Sequence, residues 1–250
     1  MKILLIILLV LSFQTIADAK VKDSKTDPSS YFLKVEEVVD AMFLLPEPPM
    51  PGSAEFQFDE AMYQYGMTMR NKESGIVAAQ DAIYSTKQII MSFSKAFEFT
   101  ISQDMTPAIF ALSFKVMKDA GGLATHDIKK AYSRLRPFVY YETDTCNPNG
   151  QTFIKPNRSY PSGHSTAGWA LALVLSEINP KRQNEILQRG LEIGQGRVIC
   201  GYHWQSDVQA GRILAAAVVA RLHTIDRFIK ELADAKEEFA RLKASKKVNN

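Results

Sequence analysis

The sequence predicts an all-α protein, a single compact helical bundle. Apolar residues recur at helical rather than alternating spacing, and no period-2 stretch is long enough to require a sheet. Pro and Gly fall at positions that start or stop those runs. At 250 residues and 46% hydrophobic content, the chain can bury one substantial core. Its formal charge of +3 is modest, and without a dense Lys/Arg stripe no nucleic-acid polymer is expected as partner.

The first residues read as an export signal rather than as structure. Lys2 gives a positive start, Ile3 to Phe13 an apolar run too short to span a membrane, and Ala17-Asp18-Ala19 an A-x-A cleavage site. The expected division is a signal peptide over 1–19, an N-terminal strap with a proline-rich segment over 20–52, and the helical domain over 53–250. Export would favour a disulfide between Cys146 and Cys200, the only two cysteines, with two buried thiols as the alternative.

Leu44 to Pro51 carries four prolines and reads as an extended strap. Helices are expected from Ser53 to about Arg70 and from Gly75 to Phe97, with aromatic and Met side chains filling the core. Thr106-Pro107 is a helix start with Thr106 as its cap, and Gly121-Gly122 a stop. Asp127 to Leu135 reads as a further helix, followed by a connection of roughly 20 residues, a length often functional. Later helices are expected over Arg182–Gly196, Gln209–Ile225 and Asp226–Lys247. The last has Asp226–Lys230 and Glu237–Arg241 as i,i+4 pairs.

The chain is organised around Asn157 to Leu175, where turn formers and His164 lead into an Ala/Leu-rich apolar run. That places Ser162, Gly163 and His164 at a helix N-terminus, where free N–H groups and the dipole favour an anion. Alone, the stretch is equally a capped turn with a partly buried histidine. Lys129 and Arg136 stand seven apart, two turns along one helix face, which by itself suits an ordinary wet surface. His203 and Asp207 stand four apart, so in a helix the carboxylate can hold one imidazole nitrogen and leave the other for a substrate. A local structural pair is the plain alternative. Arg197 adds a planar donor fork suited to phosphate oxygens.

Together, Lys129-x6-Arg136-Pro137, Pro161-Ser-Gly-His164 and Arg197-x5-His203-x3-Asp207 resemble the three-part signature of bacterial class A non-specific acid phosphatases. Their superfamily includes vanadium haloperoxidases and lipid-phosphate phosphatases. The resemblance covers nearly all of the chain after residue 19. It implies the helical fold of that superfamily, a periplasmic location, and metal-independent hydrolysis of small-molecule phosphate monoesters. It further implies that His203 attacks phosphorus, Asp207 orients it, and His164 protonates the leaving group. Lys129, Arg136, Arg197, Ser162 and the Gly163 N–H would hold the phosphoryl oxygens. No cofactor or metal is implied, since the surrounding cations suit an anion better.

Two positions depart from the family pattern: Gly196 stands where a serine is usual, and Arg158 where a glycine is common. The alternatives are apyrase-like action on nucleoside di- and triphosphates, a vanadate-dependent peroxidase, and a non-enzymatic envelope binding protein. A membrane lipid phosphatase is disfavoured, and no stable membrane anchor is expected, because polar residues interrupt the helices after the signal. Preferred substrate and oligomeric state, a homo-oligomer included, stay open.

Overall fold

A computed structural model describes residues 30–248, apart from 84 and 153. The signal expected over 1–19 lies outside these residues. All regular elements among them are helical. The principal ones are α1 (Ala54–Met69), α2 (Glu73–Ile83), α3 (Thr86–Ser92), α4 (Pro107–Met117), α5 (His126–Tyr132), α6 (Gly163–Ile178), α7 (Gln183–Ile199), α8 (Gln205–Leu222) and α9 (Asp226–Val248).

The apolar run after His164 becomes α6, the axis of the bundle. Ala170, Leu171, Ala172, Val174 and Leu175 are fully buried, so the helix is apolar on every side, as a central one must be. It packs against α7, α8 and α4. Small residues set the approach: a Cβ on Gly190 of α7 would come within 2.5 Å of the Ala172 Cβ. The terminal helix α9 lies along α4 and buries Phe228, Leu232 and Phe239. No described helix is long and apolar enough to cross a membrane.

Several boundaries differ from the sequence expectation, each for a local reason. The helix expected over Gly75–Phe97 breaks because Ser85 and Gln88 form a reciprocal cap that starts α3 afresh. Gly121-Gly122 does not stop the chain: Lys118–Leu123 forms a π-helical turn running on from α4. Thr106 does not cap α4. Glu238 of α9 does so instead, accepting from Ala108 N at 3.2 Å and Ile109 N at 3.0 Å. On α9, Lys230 pairs with Asp234 at 2.7 Å rather than with Asp226, whereas Glu237–Arg241 forms at 2.6 Å. The proline segment lies over the later site loop, where Pro46 O accepts from the Tyr160 hydroxyl at 2.7 Å.

Candidate active site

Three chain segments meet at the N-terminus of α6. In the first, α5 stops at Tyr132 because Ser133 adopts a left-handed conformation, φ 44°. Arg134 to Arg136 then runs alongside the site loop, with Ser159 N donating to Arg134 O at 3.1 Å and Arg136 N to Pro156 O at 3.0 Å. Lys129 and Arg136 therefore do not share a helix face, as their spacing suggested; the chain turns between them and returns Arg136 to the same place.

In the second segment, Ser162 caps α6 and is fully buried. Its Oγ accepts from Ser165 N at 3.3 Å and lies 2.8 Å from the Ser165 hydroxyl. The N–H groups of Gly163 and His164 precede the first intrahelical bond, Thr166 N to Ser162 O, and so have no intrahelical acceptor. A Cβ on Gly163 would stand 2.9 Å from Gly121 O of the π turn. Glycine therefore lets the two backbones close over each other.

The third segment starts at Arg197 in the last turn of α7 and reverses at Gly201, whose φ of 78° suits glycine. It enters α8 after Trp204. His203 and Asp207 are thus not two positions of one helix: His203 precedes α8 and Asp207 is its third residue. The pair still forms, Nδ1 to Oδ2 at 3.2 Å, because Asp207 Oδ2 folds back to accept from Trp204 N at 2.9 Å.

The pocket is buried, with His203 and Arg197 each 2% exposed and Asp207 fully enclosed. Arg136 Nη1 donates to His203 Nε2 at 2.9 Å. A guanidinium cannot accept, so Nε2 carries the lone pair and Nδ1 the proton that faces Asp207. The Arg136 fork is held by the carbonyls of Lys155, Tyr202 and Arg158, each at 2.9 Å. Lys129 Nζ reaches the carbonyls of Arg158 at 3.0 Å and Ser159 at 3.4 Å, and that of Pro161. Arg197 is different. Its guanidinium lies 4.1 Å from the centre of the Tyr202 ring, and its buried Nε and Nη1 meet no acceptor among the described residues.

Burial and neighbouring cations act together here. The Arg197 cation first, then burial, holds His164 well below the ordinary histidine range; burial first, then Arg136 and Lys129, does the same to His203. Burial, with Arg136 next, lowers Lys129 to about 7. Both imidazoles are therefore neutral near neutral pH, and a bound anion would relieve the repulsion among the cations.

All the predicted site residues converge on this pocket, and Cys146 and Cys200 are bridged beside it, Cα atoms 4.7 Å apart. Three further residues escaped the sequence reading. Ser159 Oγ donates to Asp207 Oδ2 at 2.5 Å. Arg134 reaches Asp207 Oδ1 at 2.6 Å and Asp59 Oδ2 at 2.7 Å. Asp59 had left a trace: it is an acid at helical spacing between the apolar Phe56 and Tyr63. His126 and His223 stand apart, paired with Asp127 and Glu177.

An all-helical bundle with this cationic, two-histidine pocket at a helix N-terminus is that of the PAP2 superfamily, which residues 110–230 match. Full-length comparisons narrow this. The chain is 50% identical over 221 residues to a non-specific acid phosphatase of Providencia stuartii, covering 88% of this chain and 89% of that protein. It is 42% identical over 207 residues to a non-specific acid phosphatase of Salmonella typhimurium, 83% of each chain. It is 30% identical over 224 residues to an acid phosphatase of Zymomonas mobilis, 88% of this chain and 82% of that one. The chain belongs to the non-specific acid phosphatases of the PAP2 superfamily.

Proposed function

We propose that this acid phosphatase hydrolyses phosphate monoesters of broad structure through a phosphohistidine on His203, without a metal. The observation that carries the reading is the electrostatic incompleteness of the pocket. Arg136 and Arg197 are buried and Lys129 half-buried around two neutral imidazoles, and two Arg197 nitrogens meet no acceptor among the described residues. A phosphoryl dianion supplies the missing charge and the missing acceptors.

In the first step the His203 Nε2 lone pair forms the N–P bond while the P–O ester bond breaks. Arg136 Nη1 passes from Nε2 to a phosphoryl oxygen as substrate enters, and its three carbonyl anchors keep the guanidinium in place. Asp207, on Nδ1, offsets the positive charge that develops on the imidazole. Bound phosphate opposes Arg197, the leading cause of the depressed His164, so His164 gains a proton and gives it to the departing alkoxide. In the second step His164 takes a proton from water, the water oxygen attacks phosphorus, and the N–P bond breaks to release inorganic phosphate. The free N–H groups at the start of α6 and the Ser162 hydroxyl, which already accepts from Ser165 N, contribute donors to the oxygens. Lys129 lends charge and can exchange its longest bond, to Ser159 O at 3.4 Å, for one of them.

Rapid-quench labelling with a radioactive aryl phosphate, followed by peptide mapping, tests the scheme. Label should map to His203 and vanish in His203→Ala. His164→Ala should still label with a nitrophenyl ester but lose on the order of 100-fold with an alkyl ester, whose leaving group needs the proton. Label on His164 would overturn the assignment. Chelator should leave turnover unchanged; a loss restored by one metal would refute metal independence. The same reading places the enzyme in the periplasm, beginning at Lys20, and intact-mass measurement of periplasmic protein checks that start.

A further inference from the structure

We propose that Arg134 and Asp59 are positioning residues for the reaction, acting through Asp207. This rests on the assignment of His203 as nucleophile. Asp207 has two oxygens with separate tasks. Oδ2 serves His203 Nδ1 at 3.2 Å, Trp204 N at 2.9 Å and the Ser159 hydroxyl at 2.5 Å. Oδ1 is taken by Arg134 Nη1 at 2.6 Å, and the same nitrogen reaches Ser206 Oγ at 2.7 Å.

Arg134 is itself fixed. Its Nη2 donates to Asp59 Oδ2 at 2.7 Å, and its guanidinium lies 5.5 Å from the centre of the Trp204 ring and 6.0 Å from that of Phe56. Asp59 is locked from the other side by Ser206 N at 2.8 Å and Ser206 Oγ at 2.6 Å. Both carboxylates are fully enclosed. The result is a string of alternating charge, Asp59, Arg134, Asp207, His203, that begins on α1 and ends on the nucleophile.

The string does two things to the imidazole. It fixes the plane of the Asp207 carboxylate, and with it the direction of Nδ1 and of the lone pair on Nε2. It also sets how much of the Asp207 charge is available when phosphoryl transfer makes the imidazole cationic. Arg134 draws on that charge, and Asp59 draws on Arg134. Without Asp59, Arg134 bears wholly on Asp207 and weakens its support for the phosphohistidine. Lys129, Arg136 and Arg197 make none of these contacts, so phosphate binding is separable from the effect.

The test is a double-mutant cycle on the purified enzyme, reading kcat, KM, the Ki of inorganic phosphate and the rate of phosphohistidine labelling. Asp59→Asn and Arg134→Gln should lower kcat and the labelling rate on the order of 10- to 100-fold, with KM and Ki within about twofold. In an Asp207→Asn background the further loss from either should shrink below about threefold, because its route to His203 is gone. Arg134→Lys, which keeps a donor for Asp207 Oδ1, should recover part of the rate. Losses that multiply independently of Asp207, or a lower Tm with kcat intact, would overturn the inference and leave a purely structural role. Should Arg134→Gln not fold, the isosteric Asp59→Asn carries the same cycle. The mapped position of the label reports on the nucleophile separately.

Discussion

In the proposed mechanism, the chemistry of Arg197 and Lys129 bears on the pH range in which the enzyme works. Arg197 is the first cause of the low basicity of His164. Replacing it by glutamine removes a cation, so His164 keeps its proton to higher pH. Arg197→Gln should therefore move the alkaline limb of the kcat profile upward while kcat/KM falls on the order of 100-fold through lost oxyanion donors. An unmoved limb would detach Arg197 from the acid. Lys129, lowered to about 7, is cationic below that pH and loses its charge above it. The Ki of inorganic phosphate should accordingly rise as pH climbs through 7, which inhibition assays across that range will show. These residues were legible in the sequence because motif spacing preserves residue type. Arg134, Asp59 and Ser159 were not, because their partners lie 75 and 48 positions apart along the chain, from Arg134 to Asp59 and from Ser159 to Asp207.

Among elements, helical periodicity gave the bundle and the buried axis α6, but it misled wherever a backbone device replaced a helical turn. Ser133 ends α5 before Arg136, and Asp207 caps α8 instead of facing His203 along it. Periodicity also has no means of reporting a π turn at Gly121-Gly122, which the glycines made look like a stop. That turn matters, because it presses the backbone of Gly121 onto Gly163 at the start of α6. A methyl group on Gly163 must move one of two backbones, and neither is the far end of a flexible side chain. Gly163→Ala should therefore cost about 1–3 kcal/mol of stability. It should also lower kcat/KM on the order of tenfold, since the displaced element carries the N–H groups proposed to hold the phosphoryl oxygens. Chemical denaturation alongside initial rates will decide; full activity with full stability would show that the π turn yields freely. Gly196 has a milder setting: a Cβ there would stand 3.2 Å from the Ala78 Cβ on α2. The glycine lets α2 and α7 approach.

Across the whole molecule, segments distant in sequence are tied at the site by more than one kind of bond, so stability and activity need not fall together. The disulfide closes the chain between Cys146 and Cys200, a separation of 54 residues, around Asn157 to His164 and the body of α6 and α7. Closing a loop of that length stabilises by about 4 kcal/mol through the entropy of the unfolded chain. The same junction has a second tie. Arg70, at the end of α1, donates to Ile199 O at 2.9 Å, Asp144 O at 2.9 Å and Cys200 O at 3.1 Å, and Cys146 N donates to Cys200 O at 3.2 Å. Arg136 in turn reaches Tyr202 O and His203. When the sulfurs are removed, these bonds still fix the path from Arg197 to His203 in the folded state. The double variant Cys146→Ala/Cys200→Ala should therefore lose about 8–16 °C in Tm while kcat/KM at 25 °C stays within about threefold of the parent. Adding Arg70→Gln to it should break the second tie and bring the rate down on the order of tenfold, more than Arg70→Gln does with the disulfide intact. Thermal melts and initial rates on the four proteins check this. A disulfide-free variant already inactive while folded would show that the sulfurs, rather than the guanidinium, hold the catalytic segment in place.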